Sequence, residues 1–245
     1  MPGPSLRVLE NKEAVARTAA QWVHDRAWAA ANARGRFTLA LSGGTTPRAL
    51  YKQMAAGPRL PWDRMVFCFG DERTVPPDHP ESNSGMARET FTGMAFVDQS
   101  SVYRIKGELP PAEAAADYEQ TLRKLFPGTT TFPSFDLVLL GLGPDGHTAS
   151  LFPHSPALAE RSRWVVDNWV EKLRTHRITL TFPVLNAAAE VLFLVTGDDK
   201  AWALRERLRG KSPLAEIPAR GIAPTSGRLT FLVDRTAAAG LGEST

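Results

Sequence analysis

A chain of 245 residues, 43% hydrophobic and 22% charged, carries enough apolar residues for a sizeable core and fits a single α/β domain over 1–245. Its 29 basic and 26 acidic residues are interspersed and leave a formal net charge of only +3, which argues against a nucleic-acid partner. No apolar run reaches the roughly 18 residues that cross a bilayer, and no secretory pattern opens the chain, so the cytoplasm is the expected compartment. The one cysteine, Cys68, lies inside an apolar run and is expected as a buried, reduced thiol instead of a disulfide or metal ligand.

In chain order, the first predicted element is a helix over 12–33, with Asn11 as N-cap, Val15, Ala19, Trp22, Val23 and Ala27 on one face, and Gly35 as its stop. Apolar runs at 37–41, 65–69, 136–140, 164–166, 191–195 and 229–233 read as strands, and helical patterns fall at 46–56, 82–91, 111–126 and 198–208. This alternation predicts βαβ units with right-handed crossovers: a doubly wound, mostly parallel sheet with helices on both faces. Residues 178–182 alternate in polarity and read as a strand nearer an edge. The proline-rich 74–80 stretch reads as a loop within the domain, and the basic run 205–211 as a solvated helix end.

Three strand ends carry the chemistry. The run LALSGGTTPRAL over 39–50 places Ser42, Gly43, Gly44 and Thr45 where free amides and a helix N-terminus converge, an anion site, with Thr45 or Thr46 available as cap. The run FCFGDERTVPPDHPESN over 67–83 places Asp71 and Arg73 at the carboxyl edge of the sheet, with Glu81 and Ser82 before the next helix. Arg73 could reach a phosphate, and Asp71 could hold a polar substrate group or orient Arg73. The third, FDLVLLGLGPDGHTASLF over 135–152, follows a buried strand with Gly141, Gly143 and Gly146 and a polar cluster of Asp145, His147, Thr148 and Ser150. Imidazole takes and returns a proton near neutral pH, so His147 beside Asp145 points to acid–base chemistry.

The same glycines match a dinucleotide fingerprint, with Asp167 at the distance of a ribose ligand, but Pro153 and Pro156 interrupt the helix that fingerprint needs. No G-x-S-x-G occurs, and the five histidines show no metal-ligand spacing. A non-catalytic sugar-phosphate sensor and a nucleotide-dependent oxidoreductase fit parts of this pattern as well.

The order SGGTTP, DER with HPESN, GLGPDGHTASLFP and RITLTFPVLNAA resembles the glucosamine-6-phosphate isomerase/6-phosphogluconolactonase family, on its 6-phosphogluconolactonase side, over about residues 39–234. The resemblance implies a Rossmann-like (NagB-like) α/β fold. It also implies hydrolysis of 6-phospho-D-glucono-1,5-lactone to 6-phospho-D-gluconate in the oxidative pentose phosphate pathway. Carried over residue by residue, it puts Ser42, Gly43, Gly44, Thr45 and Arg73 around the sugar phosphate, with Asp71 and Gly143 in the substrate site. It makes His147 the general base with Asp145 beside it. Lys172 and Arg177 keep the spacing of the family's substrate-binding lysine to the RITLT strand, although the prolines usual between them are missing and His176 replaces a glutamate. The deaminases of the family carry a glutamate where this chain has Phe152, which cannot transfer a proton, so the resemblance favours the lactonase. It implies no cofactor or metal, and no partner beyond the phosphorylated sugar lactone.

Overall fold

The computed structural model describes residues 3–242. In chain order the principal elements are β1 (Ser5–Leu9), α1 (Lys12–Arg34), β2 (Phe37–Leu41), α2 (Thr45–Ala56), β3 (Met65–Phe69), β4 (Asp71–Arg73) and α3 (Asn83–Ala87). There follow α4 (Pro111–Leu125), β5 (Leu137–Gly141), β6 (Val165–Val170), β7 (Thr175–Leu180), α5 (Phe182–Asn186), β8 (Glu190–Val195), α6 (Ala201–Arg209), β9 (Arg228–Asp234) and α7 (Arg235–Ala238).

Six strands form one wholly parallel sheet in the order β1-β9-β8-β5-β2-β3. Strands β2 and β8 are buried at every residue, the signature of parallel strands covered on both faces. Helix α1 begins as its sequence dictates: Asn11 accepts from the Ala14 N–H at 2.9 Å, and the chain leaves the helix through Gly35, which donates to the Ala31 carbonyl. Its buried stripe, Val15, Ala19, Val23, Ala27 and Ala30, lies against β2 and β9, and the helix also packs on α2. One contiguous apolar cluster runs from Val15 to Leu241 and includes Cys68, whose thiol burial pushes up to about 12.

The chain visits β2 and β3 on one side, then returns past β2 to build β5, β8 and β9 on the other. The order therefore reverses between β2 and β5, the place where open α/β sheets bind their ligands. The β2–β5 ladder there is short, pairing only Leu39 with Leu137 and Ala40 with Val138, and the segments after both strands are free to line a crevice.

Several expectations are corrected. The 178–182 run is not a strand near an edge of the main sheet: residues 178–180 end β7, the central strand of a separate antiparallel sheet, β4-β7-β6, and Phe182 already begins α5. The charged triplet Asp71–Arg73 is a strand of that sheet, and the Leu180 N–H donates to the Gly70 carbonyl where the two sheets meet. The 82–91 helix is shorter, α3 giving way to a wider π turn at Arg88–Thr92; of Glu81 and Ser82 before it, Ser82 is the N-cap and accepts from the Gly85 N–H at 3.0 Å. The basic run 205–211 is not uniformly solvated: Arg207 turns inward and donates to the Ile222 carbonyl at 2.8 Å. After β5 no long crossover helix follows; the chain makes tight turns and a 3-10 turn at Pro156–Ala159 before β6, and Asp167 pairs with His176 at 3.2 Å. The dinucleotide pattern thus lacks its helix.

Candidate active site

A cleft of about 290 Å³ opens at the switch point, lined by Ser42, Gly43, Gly44 and Thr45 after β2, by Asp71 and Arg73 of β4, and by Gly143 and His147 after β5. Of the residues singled out in the sequence, these eight converge. Asp145 and Lys172 stand behind His147 and line an adjoining cavity of about 380 Å³ with Phe152 and Trp169. Arg177 lines neither; it lies opposite Arg73 in the β4–β7 register.

The anion side of the cleft is built from backbone and unpaired donors. Gly44 precedes α2 with φ +103°, a conformation that strains any residue with a β-carbon, and no side chain caps the helix. Neither threonine serves as the expected cap, since Thr46 bonds Thr196 at 2.7 Å instead. The first amides of α2 are therefore left for an anion, with the positive end of the helix dipole behind them. The Ser42 hydroxyl is buried without a hydrogen-bond partner, and such orphans are rare in native interiors unless a ligand completes them. Arg73 is tethered by a hydrogen bond to the Glu81 carbonyl. Among the described residues, Arg73 and Arg177 face each other with no carboxylate in salt-bridge range of either, an arrangement that is unfavourable until an anion neutralises it. Burial and then the Arg73 charge lower the Arg177 guanidinium's affinity for its proton.

Lys200 also lines this cleft, at the end of a 3-10 turn that follows β8. Sequence reasoning missed it because its run, Asp198–Lys200, reads as the exposed start of a helix. The only available signal was its place just past the carboxyl end of a buried strand.

The facing side of the cleft is a glycine-rich turn. The Gly143 N–H donates to the His147 carbonyl at 2.8 Å and the Gly146 N–H to the Gly143 carbonyl at 3.0 Å, folding the loop so that Asp145 and His147 meet. His147 Nδ1 lies 2.5 Å from Asp145 Oδ1, and the ring stacks on Phe152 with centroids 4.1 Å apart. A carboxylate only accepts, so Nδ1 carries the shared proton and Nε2 keeps its lone pair on the neutral ring. Lys172 donates to the other oxygen of Asp145 at 3.1 Å. Burial would raise the Asp145 carboxyl, but the His147 hydrogen bond and charge, followed by Lys172, outweigh it and hold Asp145 well below the usual carboxylate range. Asp145 therefore stays an anion that orients the imidazole.

Asp71 works as a strut between the two sides. It is buried, accepts from Ser150 Oγ at 2.6 Å, and its carbonyl accepts from Asn83 Nδ2 at 2.9 Å, so the loop after β5 and the start of α3 are fixed to β4. Glu72, fully buried, accepts from the Asn83 and Ser84 amides at 2.7 and 2.8 Å. Burial raises its carboxyl above the ordinary glutamate value although these amides pull it down.

Gly143 is required by close approach: a β-carbon there would lie 2.0 Å from His147 Nδ1. Gly143→Ala is expected to drive the imidazole off Asp145 and lower turnover about 10²-fold, with a modest fall in melting temperature as that pairing is lost. Steady-state kinetics with a thermal melt check this.

A doubly wound sheet whose switch point holds an anion cradle facing an Asp–His pair defines an α/β enzyme acting on a small phosphorylated substrate. The family model of glucosamine-6-phosphate isomerases/6-phosphogluconolactonase matches residues 10–231. A 6-phosphogluconolactonase of Nostoc sp. is 43% identical over 212 residues, covering 85% of this chain and 86% of that protein. The human 6-phosphogluconolactonase is 41% identical over 244 residues, covering 97% and 94%. The solved structure of the Trypanosoma cruzi 6-phosphogluconolactonase superposes with a TM-score of 0.86 at 28% identity, covering 98% of each chain. The chain belongs to the glucosamine-6-phosphate isomerase/6-phosphogluconolactonase family. Among the described residues no helix is long and apolar enough to cross a membrane, and no three His, Cys, Asp or Glu side chains are grouped to hold a metal ion.

Proposed function

We propose that this chain hydrolyses 6-phospho-D-glucono-1,5-lactone to 6-phospho-D-gluconate, the lactonase step of the oxidative pentose phosphate pathway, in the cytoplasm and without a cofactor. The observation that carries the reading is the Asp145–His147 pair, 2.5 Å apart, with His147 lining the same cleft as the unpartnered Ser42 hydroxyl and the Arg73 guanidinium, which has no carboxylate in salt-bridge range among the described residues. The relatives that are named 6-phosphogluconolactonase support the substrate.

The phosphate sits against the α2 N-terminus and Ser42, with Arg73 and Lys200 as its cations, and Arg177 relieved of its repulsion by the new charge. This fixes the lactone carbonyl relative to His147. Nε2 removes a proton from water as the water oxygen attacks the carbonyl carbon. The tetrahedral oxyanion then collapses with cleavage of the carbon–ring oxygen bond, and the imidazolium returns its proton to that oxygen. Asp145 stabilises the imidazolium that forms between these steps, and the carboxylic acid product ionises, releasing one proton to solvent.

Since phosphate binding positions the reacting carbonyl, the unphosphorylated lactone should lose turnover as well as affinity. Proton release measured with both lactones tests this, and equal turnover would refute the coupling. Arg73→Ala is expected to raise KM by about tenfold or more with the fold intact, since it removes a charged hydrogen-bond donor; an unchanged KM would remove Arg73 from the phosphate site.

A further inference from the structure

The opposite edge of the sheet holds another cavity, of about 430 Å³, that the proposed reaction does not use. It lies at the amino end of β9 and the start of β1, whereas the active-site cleft lies at the carboxyl ends of the strands. Arg207 and Arg220 line it beside Ile222, Pro224 and Leu229. Both guanidiniums are held in place by backbone: Arg207 donates to the Ile222 carbonyl at 2.8 Å and lies over the Phe231 ring, and Arg220 donates to the Glu206 carbonyl at 3.0 Å. Among the described residues neither has a carboxylate in salt-bridge range, and Arg207 Nε is buried with no hydrogen-bond partner at all. The third arginine of the lining, Arg228, is neutralised by Glu190, which also takes Arg26.

Two fixed, adjacent and unneutralised guanidiniums are costly in the absence of an anion. Burial and then the neighbouring Arg220 push Arg207 down to about 10. Arginine's planar fork matches the paired oxygens of a phosphate or carboxylate, and the aliphatic lining offers such an ion an apolar neighbour. We propose that this cavity is a binding site for a small organic anion, its phosphate or carboxylate held by Arg207 and Arg220 and its apolar body resting on Ala223 and Leu229. The site is distinct from the catalytic cleft and independent of what that cleft hydrolyses.

The test is a titration of phenyl phosphate and of benzoate into the full chain, followed by the arginine Nε–H signals in a nitrogen-15 NMR spectrum, with Arg207 and Arg220 assigned through their Lys variants. Saturable movement of both signals with either ligand is expected, with inorganic phosphate and benzyl alcohol each binding more weakly than phenyl phosphate. Arg220→Gln should weaken the binding by about tenfold, the loss of a charged donor pair. Signals that stay still at millimolar ligand, or an affinity unchanged in Arg220→Gln, would overturn the proposal. Should a substitution at Arg207 fail to fold, the Arg220 signal, assigned through Arg220→Lys, decides, together with the affinity of Arg220→Gln.

Discussion

His147→Ala is expected to lower kcat for the phosphorylated lactone by about 10²- to 10⁴-fold, the range contributed by a positioned general base. The argument is local. The ring is held from behind by Asp145 and from one face by Phe152, which leaves Nε2 as the nitrogen the proposed mechanism uses, and among the described residues no other imidazole lines the cleft. The groups proposed to hold the phosphate, Ser42, Arg73, Lys200 and the α2 amides, lie on different elements from the ring. Binding of the product 6-phosphogluconate should therefore persist in the variant while turnover collapses, and calorimetry beside kinetics separates the two. The side chain is partly exposed and lies outside the apolar core, so the melting temperature should fall only by the share of the Asp145 pairing that the imidazole supplies.

The second large effect is at Asp145, and it follows from what an amide cannot do. The carboxylate accepts from His147 Nδ1 on one oxygen and from Lys172 on the other. An amide offers one acceptor and one donor, so in Asp145→Asn either the imidazole or the ammonium meets an N–H₂ group, and the charge that steadies the imidazolium is gone. A kcat loss on the order of 10²-fold is expected, as for other carboxylates that orient a functional imidazole. The same substitution has a stability signature. The folded-state pKa of Asp145 is depressed, so its contribution is fully present above the unfolded carboxylate value near about 4 and is lost as pH falls through the folded value. The difference in melting temperature between wild type and Asp145→Asn should be largest near about pH 7 and should shrink toward about pH 3. A difference that grows in acid would show that the carboxylate is not held ionised by its partners.

Much of the main sheet was legible because its strands are buried on both faces and read as unbroken apolar runs, as at 37–41 and 191–195. Strand β1 was not, because four of its five residues are exposed at the edge and carry no core pattern. The second sheet escaped for a related reason. Asp71–Arg73 looks like a charged loop, and only its antiparallel pairing with Arg177–Thr179 makes it a strand, a fact held in the distant β7 and not in the triplet itself. That same pairing is what sets Arg73 against Arg177, so the missed strand matters to the site. Within the site, the glycine-rich turn with Asp145 and His147 was readable because its chemistry is contiguous in sequence. Lys200 was not, since it arrives from a separate crossover, and neither was the strut from Asp71 to Ser150, whose partners are far apart along the chain. The inward turn of Arg207 was hidden for the opposite reason: a basic run predicts solvent, and nothing local shows that one of its members packs over Phe231.

The most direct measurement is the initial rate of proton release from freshly generated 6-phosphogluconolactone, with the spontaneous rate subtracted and ammonia release from glucosamine 6-phosphate measured in parallel. An acceleration proportional to enzyme concentration, with no ammonia released, is the expected result. Proton release no faster than the spontaneous rate, or ammonia from the amino sugar, would contradict the assignment of this Asp–His cleft to lactone hydrolysis.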